Sequence, residues 1–252
     1  MAHPDKSDSS LSRMLTVLDL FNEQQTEVSA EWVHDRLQVS LPTSYRYLKI
    51  LSQAGLLRHT HEARYTLGPR IVVLDHLIRQ ADPILKCCAP HLQELAAQTG
   101  LDCVISGWHG EQMLDTHREF AATPVNLSFG RGRPRPLFLG AAPKVILAGM
   151  GTAHLRRLMQ QHLNEVADAG LPTAWPAFRS YFSRIRKAGF YHSKGELEPQ
   201  LDALAVPLQN AQGVTLAALS VVSHRQRMQL IDPLQLTQLM QRTARAIGER
   251  LA

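Results

Sequence analysis

The chain reads as an α+β protein: a winged helix-turn-helix at the N-terminus, followed by a larger unit of helices and mainly antiparallel strands. Three observations carry this reading. Residues 28–67 (VSAEWVHDRLQVSLPTSYRYLKILSQAGLLRHTHEARYTL) pattern as two short helices joined by a tight turn, then a small hairpin. Charge is segregated within the same region. From Met1 to Asp35 two basic residues stand against seven acidic ones, a net −5; from Arg36 to Arg70 six basic residues stand against Glu62 alone, a net +5. Beyond residue 83, helix, strands, helices and strands follow one another, which suits an antiparallel sheet with packed helices.

Each element has a local cause. Residues 1–8 are expected to form a loose tail. Leu11, Leu15, Leu18 and Phe21 recur at helical spacing and predict an amphipathic first helix, capped by Ser9, Ser10 or Ser12. Ser29 opens a second helix that buries Trp32, Val33 and Leu37. Gln38-Val39-Ser40-Leu41 turns the chain. Pro42 suits the first turn of a third helix, where its missing N–H needs no partner. Leu48 and Leu51 point inward, and Gly55 ends the helix in the left-handed conformation. Residues 56–58 and 64–67 make the wing, with a polar tip at His59–Ala63. Gly68-Pro69 punctuates the chain, and residues 70–80 form a connecting helix. Asp82-Pro83 marks a boundary. The expected domains are a head at 9–69, a linker helix at 70–82 and a second domain at 83–252.

In the second domain a helix over 84–99 ends at Gly100. Strands over 101–108 and 111–117 flank a His109-Gly110 turn. Residues 119–136 suggest a strand and then a loop. Helices are expected at 141–150, 154–161 and 175–188, the last ending at Gly189. Strands over 203–209 and 214–222 bracket an Asn210–Gly213 turn, and an amphipathic helix over 233–251 closes the chain.

Composition narrows the class. Of 252 residues, 44% are hydrophobic and 19% charged, which fits a globular protein with a true core. A net charge of +5 is modest for this length and argues for a local basic patch. No apolar run approaches the roughly 20 residues that span a bilayer. The start, MAHPDKSDSS, lacks the apolar core of a secretion signal, so a cytoplasmic location is expected. Cys87, Cys88 and Cys103 do not form a disulfide framework or a zinc pattern. No metal or cofactor is expected.

The third helix exposes Thr43, Ser44, Tyr45, Arg46 and Lys49 near the half that enters a major groove in a helix-turn-helix. Arginine grips guanine by two bonds; Thr, Ser and Tyr reach phosphates or bases; Lys49 suits phosphate. Arg58 and Arg64 place charge on the wing. A winged domain that binds protein is the alternative. The run Arg131–Pro136 is basic but lacks interleaved aromatics, leaving a solvated loop or a pocket rim that grips a carboxylate. Catalytic patterns are thin. Cys103 with His109 is a nucleophile–base pair only if the thiol is accessible, and Glu196 with Glu198 is a carboxylate pair without other support. On the connecting helix, Ile71, Leu74, Leu77 and Ile78 form a stripe for intrachain packing or for a second subunit.

With these residues in view, the chain resembles the IclR family of transcriptional regulators from about Leu11 to Leu251. The resemblance rests on Ser12–Leu20 (SRMLTVLDL), Thr43–Gly55 (TSYRYLKILSQAG), Arg64–Pro69 (RYTLGP), Pro136–Lys144 (PLFLGAAPK), Gly189-Phe190, Glu196–Pro199 (ELEP), Ala205–Pro207 (AVP) and Ala217–Val221 (AALSV). It implies a DNA-binding head joined to a GAF-like αβ effector-binding domain, and a homodimer or dimer of dimers. It also implies control of catabolic operons by small organic acids. Thr43, Tyr45 and Arg46 match the reading helix. The effector pocket is implied at Leu127, Arg135, Ala141, Ala142, Ser193, Ala203, Ser220 and Val222, with Phe138 beside it. Phe138-Leu139-Gly140 replaces a usual His-Ala-Thr or His-Ala-Ser. Pro143, Ser193, Ala203 and Val222 also depart from members that bind very small keto acids. These changes imply a larger, less polar effector such as an aromatic carboxylate. Arg135, where an apolar residue is common, would pair with its carboxylate.

The reading is therefore a non-enzymatic, ligand-responsive regulator whose partners are a double-stranded DNA operator, a carboxylate effector, further copies of itself and RNA polymerase, with no membrane. The alternative is an enzyme-like or protein-binding C-terminal domain with an appended winged head.

Overall fold

A computed structural model describes residues 9–251. The tail expected over residues 1–8 lies outside them. The chain divides into two compact units between Asp82 and Pro83.

The first unit contains α1 (Ser10–Leu15), α2 (Ala30–Leu37), α3 (Leu41–Gln53), β1 (Leu57–His59), β2 (Tyr65–Leu67) and α4 (Arg70–Ala81). Side-chain caps set the helix starts. Ser9, Ser29 and Ser40 accept the amides of Ser12, Trp32 and Thr43, which lie three residues on and have no acceptor within the helix. Gln38 adopts a left-handed conformation to end α2, and Gly55 does so after α3. Val17, Val28, Val33, Tyr47, Leu48, Leu51 and Leu57 fill the core, with Trp32 and Leu37 packed at its edge.

The expected first helix is shorter than its sequence pattern. It stops at Leu15, where the Thr16 hydroxyl donates back to the Arg13 carbonyl (2.7 Å), and a 3₁₀ turn follows over Leu18–Leu20. The residue buried there is Val17, whereas Leu11 is 70% exposed and Leu15 is exposed too. The connecting helix α4 likewise buries none of its residues; Val72 is 72% exposed, and Leu74, Leu77 and Ile78 are also open. The stripe is therefore not part of the core of the first unit, and Ile71 alone of its four residues is half-buried.

The wing pairs β1 with β2, Leu57 opposite Leu67 and His59 opposite Tyr65. Val28 bridges to Tyr65, tying the wing to the start of α2. Gly68 sits against the end of α3: a Cβ there would lie 2.2 Å from the Gly55 carbonyl oxygen and 2.8 Å from that of Leu57. The Leu-Gly-Pro step after the wing is therefore a close backbone approach that admits no side chain.

The second unit contains α5 (Pro83–Thr99), β3 (Asp102–His109), β4 (Gln112–Glu119), β5 (Pro134–Arg135), α6 (Ala141–Gly149), α7 (Thr152–Gln161), α8 (Leu163–Asp168), α9 (Trp175–Ala188), β6 (Tyr191–Lys194), β7 (Leu201–Gln209), β8 (Thr215–His224), α10 (Arg225–Met228) and α11 (Pro233–Gly248). Its six strands form one antiparallel sheet in the order β5-β4-β3-β8-β7-β6. One face packs on α5 and α11 through Cys103, Ile105, Leu204, Leu219 and Val221. The other packs on α6, α7 and α9 through Met113, Ala205 and Ala218. This is the GAF-like layering that the resemblance implies. Because both faces are covered, β7 and β8 read as nearly continuous apolar runs and not as alternating ones.

Residues 119–136 hold no strand of the expected length. β4 runs on to Glu119; beyond it Arg131 makes a single bridge to Asp115, and Pro134–Arg135 pair with Leu114 and Met113. Strand β6 and helices α8 and α10 have no counterpart in the sequence reading; each spans six residues or fewer.

Gly68→Ala is expected to lower stability by about 1–3 kcal/mol through backbone overpacking, with wing resonances displaced. Thermal unfolding and amide NMR spectra of the variant test this; a spectrum and midpoint like those of the parent would refute the close-approach account.

Candidate functional site

Helix α3 presents a cationic face. Tyr45, Arg46 and Lys49 are exposed and Thr43 is half-buried. Among the described residues, no ion pair forms on Arg46, Lys49 or Arg58. Ser44 corrects the sequence reading. It is 0% exposed, and its hydroxyl turns back toward the Ser40 carbonyl (3.4 Å), because its position on α3 faces the core of the head. Thr43 is partly engaged at the cap, 2.8 Å from the Ser40 hydroxyl. Tyr45 is exposed but not free: its hydroxyl donates to Glu31 on α2 at 3.1 Å. That bond raises the phenol's pKa, and backbone and Ser29 bonds, followed by Tyr45, lower that of Glu31. On the wing Arg58 is open, and Arg64 lies 3.7 Å from Glu27.

The second unit holds a pocket of about 480 Å³, part of it open to solvent. Leu127, Arg135, Ala141, Ala142, Ser193, Ala203, Ser220 and Val222 all line it, joined by Phe129, Gly140, Leu197, Glu198 and Leu201. Phe138 does not. Its ring is buried against Phe178 (centroids 6.2 Å apart) and His162, so it belongs to the packing under α9.

Three layers of partners shape the pocket. Arg135 Nη1 donates to both oxygens of buried Asp115, at 2.9 and 3.1 Å, and the Ser106 hydroxyl donates to Asp115 at 2.6 Å. Glu196 accepts from the Gly140 amide (3.1 Å), from buried Lys144 (2.5 Å) and from Tyr191 (2.7 Å). Burial, then the bonds to Tyr181 and Glu196, push the Tyr191 phenol well above its ordinary pKa, so it stays a donor. Glu198 accepts the Ser128 amide (2.9 Å) and holds the 126–133 loop beside the pocket. The two glutamates thus anchor backbone and do not form a hydrolytic pair.

Arg131 is half-buried and donates to the Thr116 carbonyl of β4 (2.6 Å), whereas exposed Arg133 donates to the Ser128 carbonyl of its own loop (2.7 Å). Asp115 escaped the sequence reading, although an acid sharing a strand face with buried Met113 is a signal that a cation must meet it. Cys103 and His109 stand near opposite ends of β3, about 20 Å apart at strand rise. Burial, then Asp102 and Glu119, push the Cys103 thiol up to about 12. Among the described residues no cluster of His, Cys, Asp or Glu could hold a metal ion, and no helix is long and apolar enough to cross a membrane.

Comparison with known proteins follows the same division. The family model "IclR helix-turn-helix domain" matches residues 10–61, and "Bacterial transcriptional regulator IclR C-terminal" matches residues 76–249. The chain is 26% identical to the HTH-type transcriptional regulator XynR of Escherichia coli K12, covering 96% of each protein. It is 27% identical to the p-hydroxybenzoate hydroxylase transcriptional activator of Acinetobacter baylyi, covering 97% of this chain and 95% of that one. Its fold matches the crystal structure of an IclR homolog complexed with 4-hydroxybenzoate from Microbacterium hydrocarbonoxydans, with a TM-score of 0.74 and 19% identity over 96% of this chain and 99% of that one.

Two predictions come from this geometry. In operator titrations, Arg46→Ala is expected to lose about 1–3 kcal/mol and relax sequence preference. Lys49→Ala should lower the salt slope by about 0.9, and Ser44→Ala should leave the slope unchanged; equal effects of Ser44 and Arg46 would place the reading face elsewhere. In native protein at pH 8, thiol reagents should modify half-buried Cys87 and spare Cys103 until the chain unfolds. Rapid native labelling of Cys103 would reopen the nucleophile reading.

Proposed function

This chain belongs to the IclR family of DNA-binding transcriptional regulators, and on that premise we propose that it controls a catabolic operon in response to a small organic acid, an aromatic carboxylate. The observation that carries the reading is the pairing, in one chain, of an open cationic reading helix with an apolar pocket that holds a buried guanidinium. The first suits a duplex; the second suits an acid with an apolar body. Support for the aromatic class comes from the A. baylyi relative, named for p-hydroxybenzoate hydroxylase, and from the M. hydrocarbonoxydans fold match, whose bound ligand is 4-hydroxybenzoate.

Catalysis has no part in this reading. The thiol that would serve as nucleophile is buried, and the two glutamates anchor backbone. The uncovered apolar stripe of α4, together with Leu11 and Leu15 of α1, is assigned to a second copy of the chain. A two-fold dimer reads a roughly palindromic operator, one half-site per head. The effector acts by favouring one arrangement of the heads over another, since a ligand with equal affinity for both states shifts nothing.

The test is a pair of titrations on the intact protein. A matching aromatic acid at 100 times its dissociation constant should add about 2.7 kcal/mol of apparent stability and change operator affinity at fixed salt. Glyoxylate and pyruvate should do neither. Stabilisation by the small keto acids alone would overturn the aromatic assignment.

A further inference from the structure

We propose, resting on the chain's place among DNA-binding regulators, that the outer face of α9 in the second unit is a further contact for the phosphate backbone of duplex DNA, separate from the reading helix of the head. Helix α9 sorts its residues by side. Phe178, Phe182 and Ile185 are buried, while Arg179, Ser180, Ser183, Arg184 and Lys187 are exposed. Those five, with Pro176, line an open hollow of about 600 Å³ along the helix. Their positions recur every three or four residues, so cations and hydroxyls form one stripe.

The charge of that stripe is not spent inside the protein. From Ala169 to Gly195 the basic residues are Arg179, Arg184, Arg186, Lys187 and Lys194, and there is no acidic one. Arg186 turns away from the stripe and donates to the Met150 carbonyl at 2.7 Å, just past the end of α6. Arg179, Arg184 and Lys187 form no ion pair among the described residues. The two acids of α8 do not neutralise them: Glu165 meets His162 at 2.7 Å, and Asp168 pairs with no cation. Aromatic rings order the arginines instead. Arg184 lies over Tyr181, 5.9 Å from the ring centroid, and exposed Arg156 of α7 lies over Trp175 at the start of α9, 5.7 Å away. A guanidinium held by a ring keeps its full charge and its outward N–H groups for an external anion.

Spacing selects the anion. Arg179 to Lys187 covers about 12 Å of helix axis, and one strand of a duplex carries about three or four phosphates over that length. The stripe meets them with three cations. An acidic protein helix, the competing occupant, repeats its carboxylates once per turn of about 5.4 Å on one face and sets about two against the same span. Ser180 and Ser183 add neutral hydroxyl donors between the cations, and hydroxyls beside Arg and Lys are the mix that phosphate oxygens accept. Such a contact adds affinity without sequence preference. The unit that senses the effector thereby carries part of the hold on DNA.

Fluorescence anisotropy of the full chain on a mixed-sequence duplex of about 60 base pairs, titrated over a range of salt, tests this. The triple variant Arg179→Gln, Arg184→Gln, Lys187→Gln should lower the salt slope by about 2.7, at about 0.9 per phosphate contact, and weaken binding at about 0.1 M salt by at least about tenfold. A control triple, Arg242→Gln, Arg245→Gln, Arg250→Gln, removes the same charge from exposed positions on α11 and just beyond it, and should move the slope by less than about 0.5. Lysine acetylation with and without the duplex gives a second readout: Lys187 should be protected as Lys49 is, and exposed Lys86 of α5 should not. Equal slopes for the parent and the α9 variant, equal losses in the two triples, or an unprotected Lys187 overturn the contact. Binding of poly-L-glutamate that depends on the stripe, with the duplex slope unchanged, overturns it in favour of an acidic protein partner. A parent that binds no duplex at all sinks the DNA-binding role and this contact with it.

Discussion

The buried ammonium of Lys144 constrains the second unit more than any other single group. It sits in α6, a helix whose residues Ala141–Ala148 are all buried. A charge there is tolerated only with a close partner. Glu196 supplies it from the segment between β6 and β7, and the rings of Tyr181 and Tyr191 add their faces at 5.8 and 4.7 Å. The same carboxylate caps the Gly140 amide. Meeting one charge thus pins the chain after β6 across the start of α6, and Leu197 and Glu198 become pocket wall.

The first unit rests on local devices in place of a buried charge. Serine caps, a left-handed Gln38 and the contact of Gly68 with the Gly55 carbonyl fix the angles between short elements. Its core is small, so backbone fit counts for more per residue than in the sheet unit. That rigidity suits the proposed role of α3, in which Arg46 and Lys49 are offered at fixed spacing to a regular polymer.

What was legible in the sequence follows range. The cap at Ser29, Pro42 at the helix start and the hairpin turns act within a few residues and could be read directly, whereas Ser40, read as part of the turn, caps α3. The strands β7 and β8 were readable because two covered faces make a long apolar run. β6 (YHSK) was not, since four mixed residues carry no period and pair only because β7 is there. Helices α8 and α10 are too short to show one. At the pocket, eight of the nine positions taken from the resemblance line one cavity, because backbone position is shared even where side chains differ. Phe138 failed since its ring follows the aromatic packing of α9. Ser44 failed since an exposed-looking polar residue on a short helix can face inward. Asp115, 20 residues before Arg135, and Glu196, 52 after Lys144, are joined only by the fold.

The carboxylate of Glu31, bonded to Tyr45 on the reading helix, also bears on how the protein searches a chromosome. Phosphates brought close to that face meet a fixed negative charge as well as Arg46 and Lys49. A generic duplex gains only the cations' attraction and suffers the repulsion, so it is held loosely and released quickly. A matched site adds base contacts that outweigh the same penalty. The acid beside the proposed reading helix lowers the affinity for every sequence alike, so it leaves the gap between correct and incorrect sites unchanged and acts by shortening the time lost on each wrong encounter.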